Sequence, residues 1–191
     1  SFFDVELELE DEEEQSEAAD MESILGLFEG MGAPSRMLRW HYRSEHESLI
    51  AVSNYEFYNN DLVLFPSPDV ERNNTGIKYH YLPDTYYEPG RGKSYNRLEA
   101  KAVAQAVIKH AENNSGLSLG VAAFSKSQMK VIQDELEILR RKDPSYEYFF
   151  NAHPEEPFFI KNLENVQGDE RDIIFISLGY GKTEDGYVSM N

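Results

Sequence analysis

Short apolar runs alternate with longer amphipathic stretches through most of this chain, and that alternation limits what it can fold into. Leu119–Phe124 (LGVAAF) is a continuous apolar run and predicts a short buried strand. Before it, Asn96 opens an amphipathic helix with Glu99 three residues after the cap. Leu98, Ala102, Val103, Ala106, Val107 and His110 fall on one face, and Asn113-Asn114-Ser115-Gly116 ends it. After the strand, Ser125 caps a helix that turns Met129, Ile132, Leu136 and Leu139 to the core and stops at Asp143-Pro144. Phe158–Ile160 and Ile173–Leu178 predict two more strands, separated by the loop Lys161–Asp172.

The first part of the chain follows the same scheme. Met21–Glu29 places Ile24, Leu25 and Phe28 on one helical face, with Gly30, Gly32 and Pro34 ending it. Met37–Tyr42 predicts a short strand. Ser44 and Glu47 form a capping-box pattern for a helix reaching about Phe57. Asn59–Asp69 reads as a loop, Ile77–Leu82 as a strand by its alternation, and Pro83–Tyr95 as a loop. Strands joined by helical crossovers predict an α/β fold with a mainly parallel sheet. Ligands of such sheets sit at the carboxyl ends of the strands. That singles out His41-Tyr42-Arg43, Ser125 and Asn162–Asp172.

Charge needs care in this chain of 191 residues. The formal net charge is -17, but 11 of the 35 acidic residues lie between Asp4 and Glu22, where there is no Lys or Arg. Asp4–Asp20 reads as a solvated charge run, with a strand-like alternation at Val5, Leu7 and Leu9 just inside it. The remainder is only mildly acidic, so the total does not decide the function. No apolar run is long enough to span a bilayer. The absence of cysteine excludes a disulfide scaffold, a zinc finger, an iron–sulfur site and a thiol nucleophile, and it is compatible with a cytoplasmic protein.

Several tempting motifs fail on spacing. Gly90-Arg91-Gly92-Lys93-Ser94 looks like the end of a phosphate-binding loop, but Tyr87 stands where the first glycine is needed. His41, His46, His80, His110 and His153 have no metal-ligand spacing, and no Gly-x-Ser-x-Gly elbow is present.

Two segments carry more chemistry. In the first, Leu38–Ile50 (LRWHYRSEHESLI), Arg43 sits where a strand turns into a helix. A guanidinium there offers a planar donor fork suited to phosphate oxygens, or it pairs with Glu45 or Glu47. In the second, Asn162–Asp172 (NLENVQGDERD), Gly168 lets the backbone bend. Glu170 can accept from ribose hydroxyls, while Asn165 and Gln167 suit a sugar–phosphate backbone. The plainer alternative is a polar loop that caps a strand.

Together these segments resemble superfamily 1 helicases, in the branch related to the nonsense-mediated-decay and splicing-associated helicases and their large bacterial relatives. His41-Tyr42-Arg43 is similar to motif IV, usually Gln-Tyr-Arg, with His41 in place of Gln. Gln167-Gly168-x-Glu170-x-Asp172 before an apolar strand is similar to motif V. The resemblance spans about Pro34–Asn191 and implies a RecA-like domain of the P-loop NTPase fold, a three-layer α/β/α sandwich. It also implies roles. Arg43 is the catalytic arginine, reaching the γ-phosphate of ATP; Gly168 and Glu170 bind the nucleotide; Ser125, Gln128, Glu164, Asn165 and Gln167 face single-stranded DNA or RNA.

The same resemblance sets what is missing. The phosphate-binding loop and the acids that hold Mg²⁺ belong to a first RecA-like domain, the implied partner within the same protein. Motif VI follows motif V in this family. The expected organisation is therefore an acidic, partly disordered segment with a short helix over 1–33, then the second RecA-like domain over 34–191, cut before motif VI. ATP and Mg²⁺ serve the full-length enzyme, and no cofactor is expected on the fragment alone. The competing reading is a non-catalytic α/β interaction module whose acidic segment recruits a basic partner, without a membrane role in either case.

Overall fold

The computed structural model describes residues 24–44, 46–66, 75–90 and 94–188. The chain divides into two compact units, Ser1–Tyr79 and His80–Asn191. The acidic run, its strand-like start, Glu45 and the Arg91–Lys93 stretch lie outside the described residues.

The first unit is a small β–α–β arrangement preceded by a helix. Helix α1 (Ile24–Gly30) ends in a Schellman motif: Ala33 N–H reaches Phe28 O at 3.0 Å and Gly32 N–H reaches Glu29 O at 2.9 Å. Gly32 takes the left-handed conformation this requires, φ +75°. Ile24, Leu25 and Phe28 do share a face, but each is more than half exposed. Strand β1 (Trp40–His41) pairs in parallel with β2 (Val63–Leu64), and helix α2 (Ser48–Phe57) crosses between them.

Three expectations for this unit need correction. Helix α2 starts at Ser48, four residues after the proposed Ser44 cap, because the Ser44 hydroxyl and backbone N–H both turn back to the His41 ring. The stretch Asn59–Asp69 holds strand β2; left-handed Asn59 and Asn60 reverse the chain, and buried Asn54 accepts the Leu62 N–H at 3.0 Å. Ile77–Leu82 forms no strand, and Ile77, Tyr79 and Tyr81 are all exposed. Alternation alone is satisfied by any extended segment; without a neighbour to bond, no ladder forms.

The second unit carries the main core. Helix α3 (Arg97–Asn113), strand β3 (Leu119–Ala123) and helix α4 (Lys126–Lys142) follow in order. A 3₁₀ turn and the short helix α5 (Glu147–Phe150) come next, then β4 (Phe159–Asn162) and β5 (Ile173–Ser177). The sheet is parallel in the order β4-β3-β5. Strand β3 is central and buried at all five positions, as a parallel strand paired on both edges should be. Its Leu119, Val121 and Ala123 join Ala104 and Val107 of α3, Ile132 and Leu136 of α4 and Phe149 of α5 in one cluster. Each fully buried aliphatic side chain there contributes about 1.5–3 kcal/mol.

Helix α4 follows the sequence closely. Ser125 accepts the Gln128 N–H at 3.0 Å, and Arg140, Arg141 and Lys142 close the last turn, where cations favour the dipole. Helix α3 is rotated relative to expectation: Leu98 is 40% exposed, and the buried face runs through Ala100, Ala104, Val107, Ile108 and His110. On the opposite face of the sheet, the Phe159 ring lies over Gly120, while Ile174 and Ile176 are exposed.

Candidate functional site

All three strands of the second unit point their carboxyl ends the same way, and four polar side chains converge there. The Gln128 amide is completely buried. Its Oε1 accepts the Asn96 N–H at 2.8 Å; its Nε2 donates to Asn96 O at 3.2 Å and to Ser177 Oγ at 3.1 Å. Ser177 Oγ donates to Glu99 Oε1 at 2.7 Å, and the Glu99 carboxylate also accepts the Gly179 N–H. This knot joins the starts of α3 and α4 to the end of β5. Glu99 therefore does not complete a capping box. Asn96 caps α3 by accepting the Glu99 N–H at 3.0 Å, but the Asn96 N–H is taken by Gln128.

Two of the proposed nucleic-acid contacts belong to this knot. Gln128 is completely buried, and both polar atoms of its side chain are bonded inside the unit. Ser125 is half-buried and already holds two bonds, accepting from Gln128 N and donating to Ser94 O at 3.0 Å. Asn162, at the end of β4, is 3% exposed. Its Nδ2 donates to Glu164 Oε2 at 3.2 Å, and its Oδ1 is the one buried side-chain polar atom without a partner among the described residues.

The loop from β4 to β5 separates anchoring residues from outward ones. Leu163–Asn165 makes a 3₁₀ turn. Val166–Asp169 then forms a tight turn, closed by Asp169 N–H to Val166 O at 2.9 Å, with Gly168 at φ +86° in its third position. That is the type II geometry that favours glycine, and nothing lies within 4 Å of where a Cβ would stand. Asp169 accepts from Lys161 Nζ at 2.5 Å. Arg171 donates to Pro157 O at 2.6 Å and stacks 4.8 Å from the Phe159 ring. Asp172 accepts the Ser118 N–H at 2.8 Å and fixes the entry to β5. The residues between these anchors, Glu164, Asn165, Gln167 and Glu170, are exposed.

Arg43 lies in the first unit, in the bend after β1, and is exposed. The bend is shaped by His41: the Ser44 N–H donates to His41 Nε2 at 3.2 Å, and Ser44 Oγ lies 2.8 Å from the same nitrogen. The second unit thus brings Glu164, Asn165, Gln167, Gly168 and Glu170 onto one loop and holds Ser125 and Gln128 in the adjoining knot.

Sequence reasoning missed Glu99, Ser177 and Gly179 as parts of this edge. A signal existed for Ser177: a lone hydroxyl closing an apolar strand, followed closely by glycine. Among the described residues, no three His, Asp or Glu side chains are grouped to hold a metal ion. None of the described helices is long and apolar enough to cross a membrane.

The model of the AAA domain family matches residues 21–187. The chain belongs to the AAA domain family. Its parallel sheets, central apolar strand and helical crossovers are those of an α/β, RecA-like fold, as the sequence predicted. An AAA domain chain of this kind is similar to a protein of Mycoplasma genitalium named an uncharacterized ATP-dependent helicase, 32% identical over 190 residues. Its homolog in Mycoplasma pneumoniae is 33% identical over 190 residues. Each alignment covers 97% of this chain and 16% of the relative, so the chain spans about a sixth of their length. No solved structure matches it.

Proposed function

We propose that this AAA domain chain is the second RecA-like domain of an ATP-dependent superfamily 1 helicase or translocase, in the branch related to the nonsense-mediated-decay helicases. The observation that carries the reading is the division of labour in the β4–β5 loop. Asp169, Arg171 and Asp172 are spent on holding it; Glu164, Asn165, Gln167 and Glu170 are exposed along it, and Glu164 and Asn165 directly follow the carboxyl end of β4, the edge where such folds bind ligands.

In this reading ATP lies between this domain and a first RecA-like domain elsewhere in the longer protein. That first domain holds the triphosphate and its Mg²⁺. Arg43 supplies positive charge to the phosphoryl group in transfer, and Glu170 accepts from the ribose. Asn165 and Gln167 give neutral donors and acceptors to a single strand of DNA or RNA, without reading its bases. ATP draws the two domains together, and hydrolysis releases them.

The test is Arg43→Ala in the full-length protein. Turnover should fall by about 10³–10⁵-fold, the usual contribution of an arginine finger, while single-strand affinity stays near that of the parent. Turnover that survives the substitution sinks the assignment. The 191-residue chain alone should bind ATP weakly and hydrolyse none.

A further inference from the structure

The bend that carries Arg43 is closed by a side chain, and the chemistry of that closure is specific. A backbone N–H can only donate. The Ser44 N–H points at His41 Nε2 at 3.2 Å, so that nitrogen presents a lone pair, and the neutral ring carries its proton on Nδ1. The Ser44 hydroxyl, 2.8 Å from the same nitrogen, adds a second donor. Tyr42 and Arg43 are the two residues enclosed by this closure, and both are exposed. The ring borders a cavity of about 100 Å³, also lined by Glu47 just before α2, by Ile50 of α2 and by Leu64 and Phe65 at the end of β2. The two groups of Ser44 therefore hold the imidazole in place, and the imidazole holds the turn.

We propose that His41 is a positioning residue for Arg43: its unprotonated Nε2 fixes the turn that aims the guanidinium, so the proton on this imidazole sets how much of the protein is competent for hydrolysis. This rests on the reading of Arg43 as the phosphate-directed arginine. Protonation converts Nε2 from acceptor to donor. The Ser44 hydroxyl can reverse its bond, but the Ser44 amide cannot, and the turn loses its closing contact. Among the described residues, the charged or titratable groups lining the cavity with the ring are Tyr42 in the turn and Glu47 just before α2, and Arg43 follows Tyr42 in the same turn. The residues facing it from β2 are apolar. His46 sits one turn further on and makes a similar closure, accepting the Ser48 N–H on Nδ1 at 3.1 Å, so it is the control for any histidine-dependent effect.

The experiment compares Arg43→Ala, His41→Ala, His41→Gln and His46→Gln in the full-length protein, reading ATP turnover from pH 5 to 8 with saturating single strand. His41→Ala should lower kcat by about 10²-fold, the scale of a misaimed catalytic group, with KM for ATP and single-strand affinity little changed. Glutamine offers an acceptor oxygen that does not titrate, so His41→Gln should restore most of kcat at neutral pH and flatten its fall on the acid side. His46→Gln should keep that fall. Loss of turnover in Arg43→Ala with none in His41→Ala overturns the positioning role alone. Full turnover in Arg43→Ala overturns the functional reading beneath it. Should His41→Ala fail to fold, His41→Gln decides: an unchanged acid limb overturns the proposal.

Discussion

The Glu99 carboxylate accepts the backbone N–H of Gly179, 80 residues further along the chain, at 3.0 Å to Oε1 and 3.1 Å to Oε2. The same carboxylate takes the Ser177 hydroxyl. One residue in the first turn of α3 thus holds the exit of β5. Glu99→Ala leaves a buried hydroxyl and an amide without their acceptor, at about 1–3 kcal/mol each. Urea unfolding should show a lower midpoint at unchanged slope, and an unaltered midpoint would show the contact to be idle.

Gln128 separates a structural role from a nucleic-acid role. Gln128→Leu keeps the volume and strips partners from Asn96 and Ser177. The expected result is a loss of at least about 2 kcal/mol of stability, since a buried group left unpaired costs about 1–3 kcal/mol. Single-strand affinity of the folded protein, measured by titration at fixed salt, should not move.

Gly120 and Phe159 are matched in shape. A Cβ at 120 would collide with the Phe159 ring. Gly120→Ala forces that ring aside within the sheet, at about 1–3 kcal/mol, the range for overpacking. Adding Phe159→Leu should recover part of the loss, and simple additivity of the two losses would argue that the ring is not the obstacle.

Gly168 answers to its backbone rather than to crowding, because φ is +86° with open space around it. Gly168→Val should cost about 1–2 kcal/mol of local strain, and Gly168→Asn clearly less, since Asn tolerates the left-handed region. Thermal unfolding of the pair ranks them; equal effects would point to lost contact instead.

Acid should weaken the α4–α5 junction. Arg140 donates to both oxygens of Glu147, at 2.7 and 2.6 Å, and this bond holds the Glu147 carboxyl below its ordinary value. A lowered folded value means the pair contributes fully above the normal carboxylate range and loses its contribution as pH falls through that lowered value. Both side chains are more than a third exposed, so the effect is at most about 1 kcal/mol. Arg140→Ala should remove that part of the acid dependence from denaturation curves taken between pH 2 and 6.

Much of this architecture could be read from the chain before its coordinates. Apolar runs gave β3, β4 and β5, although only β3, paired on both edges, is buried at every position. Ser125 and Asn96 announced their helices because their side chains have few better uses there. The failures are equally physical. Ser44 looks like a cap until His41 claims it, and Glu99 looks like half of a capping box until Ser177 and Gly179 offer better donors. Strand β2 is two residues long, too short to leave a period. Loop residues 164, 165, 167 and 170 were legible as polar; that Asp169, Arg171 and Asp172 are its anchors depended on Lys161, Pro157 and Ser118, which no local pattern connects to them.

The strand order has a consequence for birth on the ribosome. Strand β3 is made first yet sits in the middle, so Leu119–Ala123 emerges with both edges bare and waits for Phe159–Asn162 and then Ile173–Ser177. Until the last of these leaves the exit tunnel, an apolar ribbon has no permanent neighbour, and that interval is when nascent-chain chaperones have something to hold.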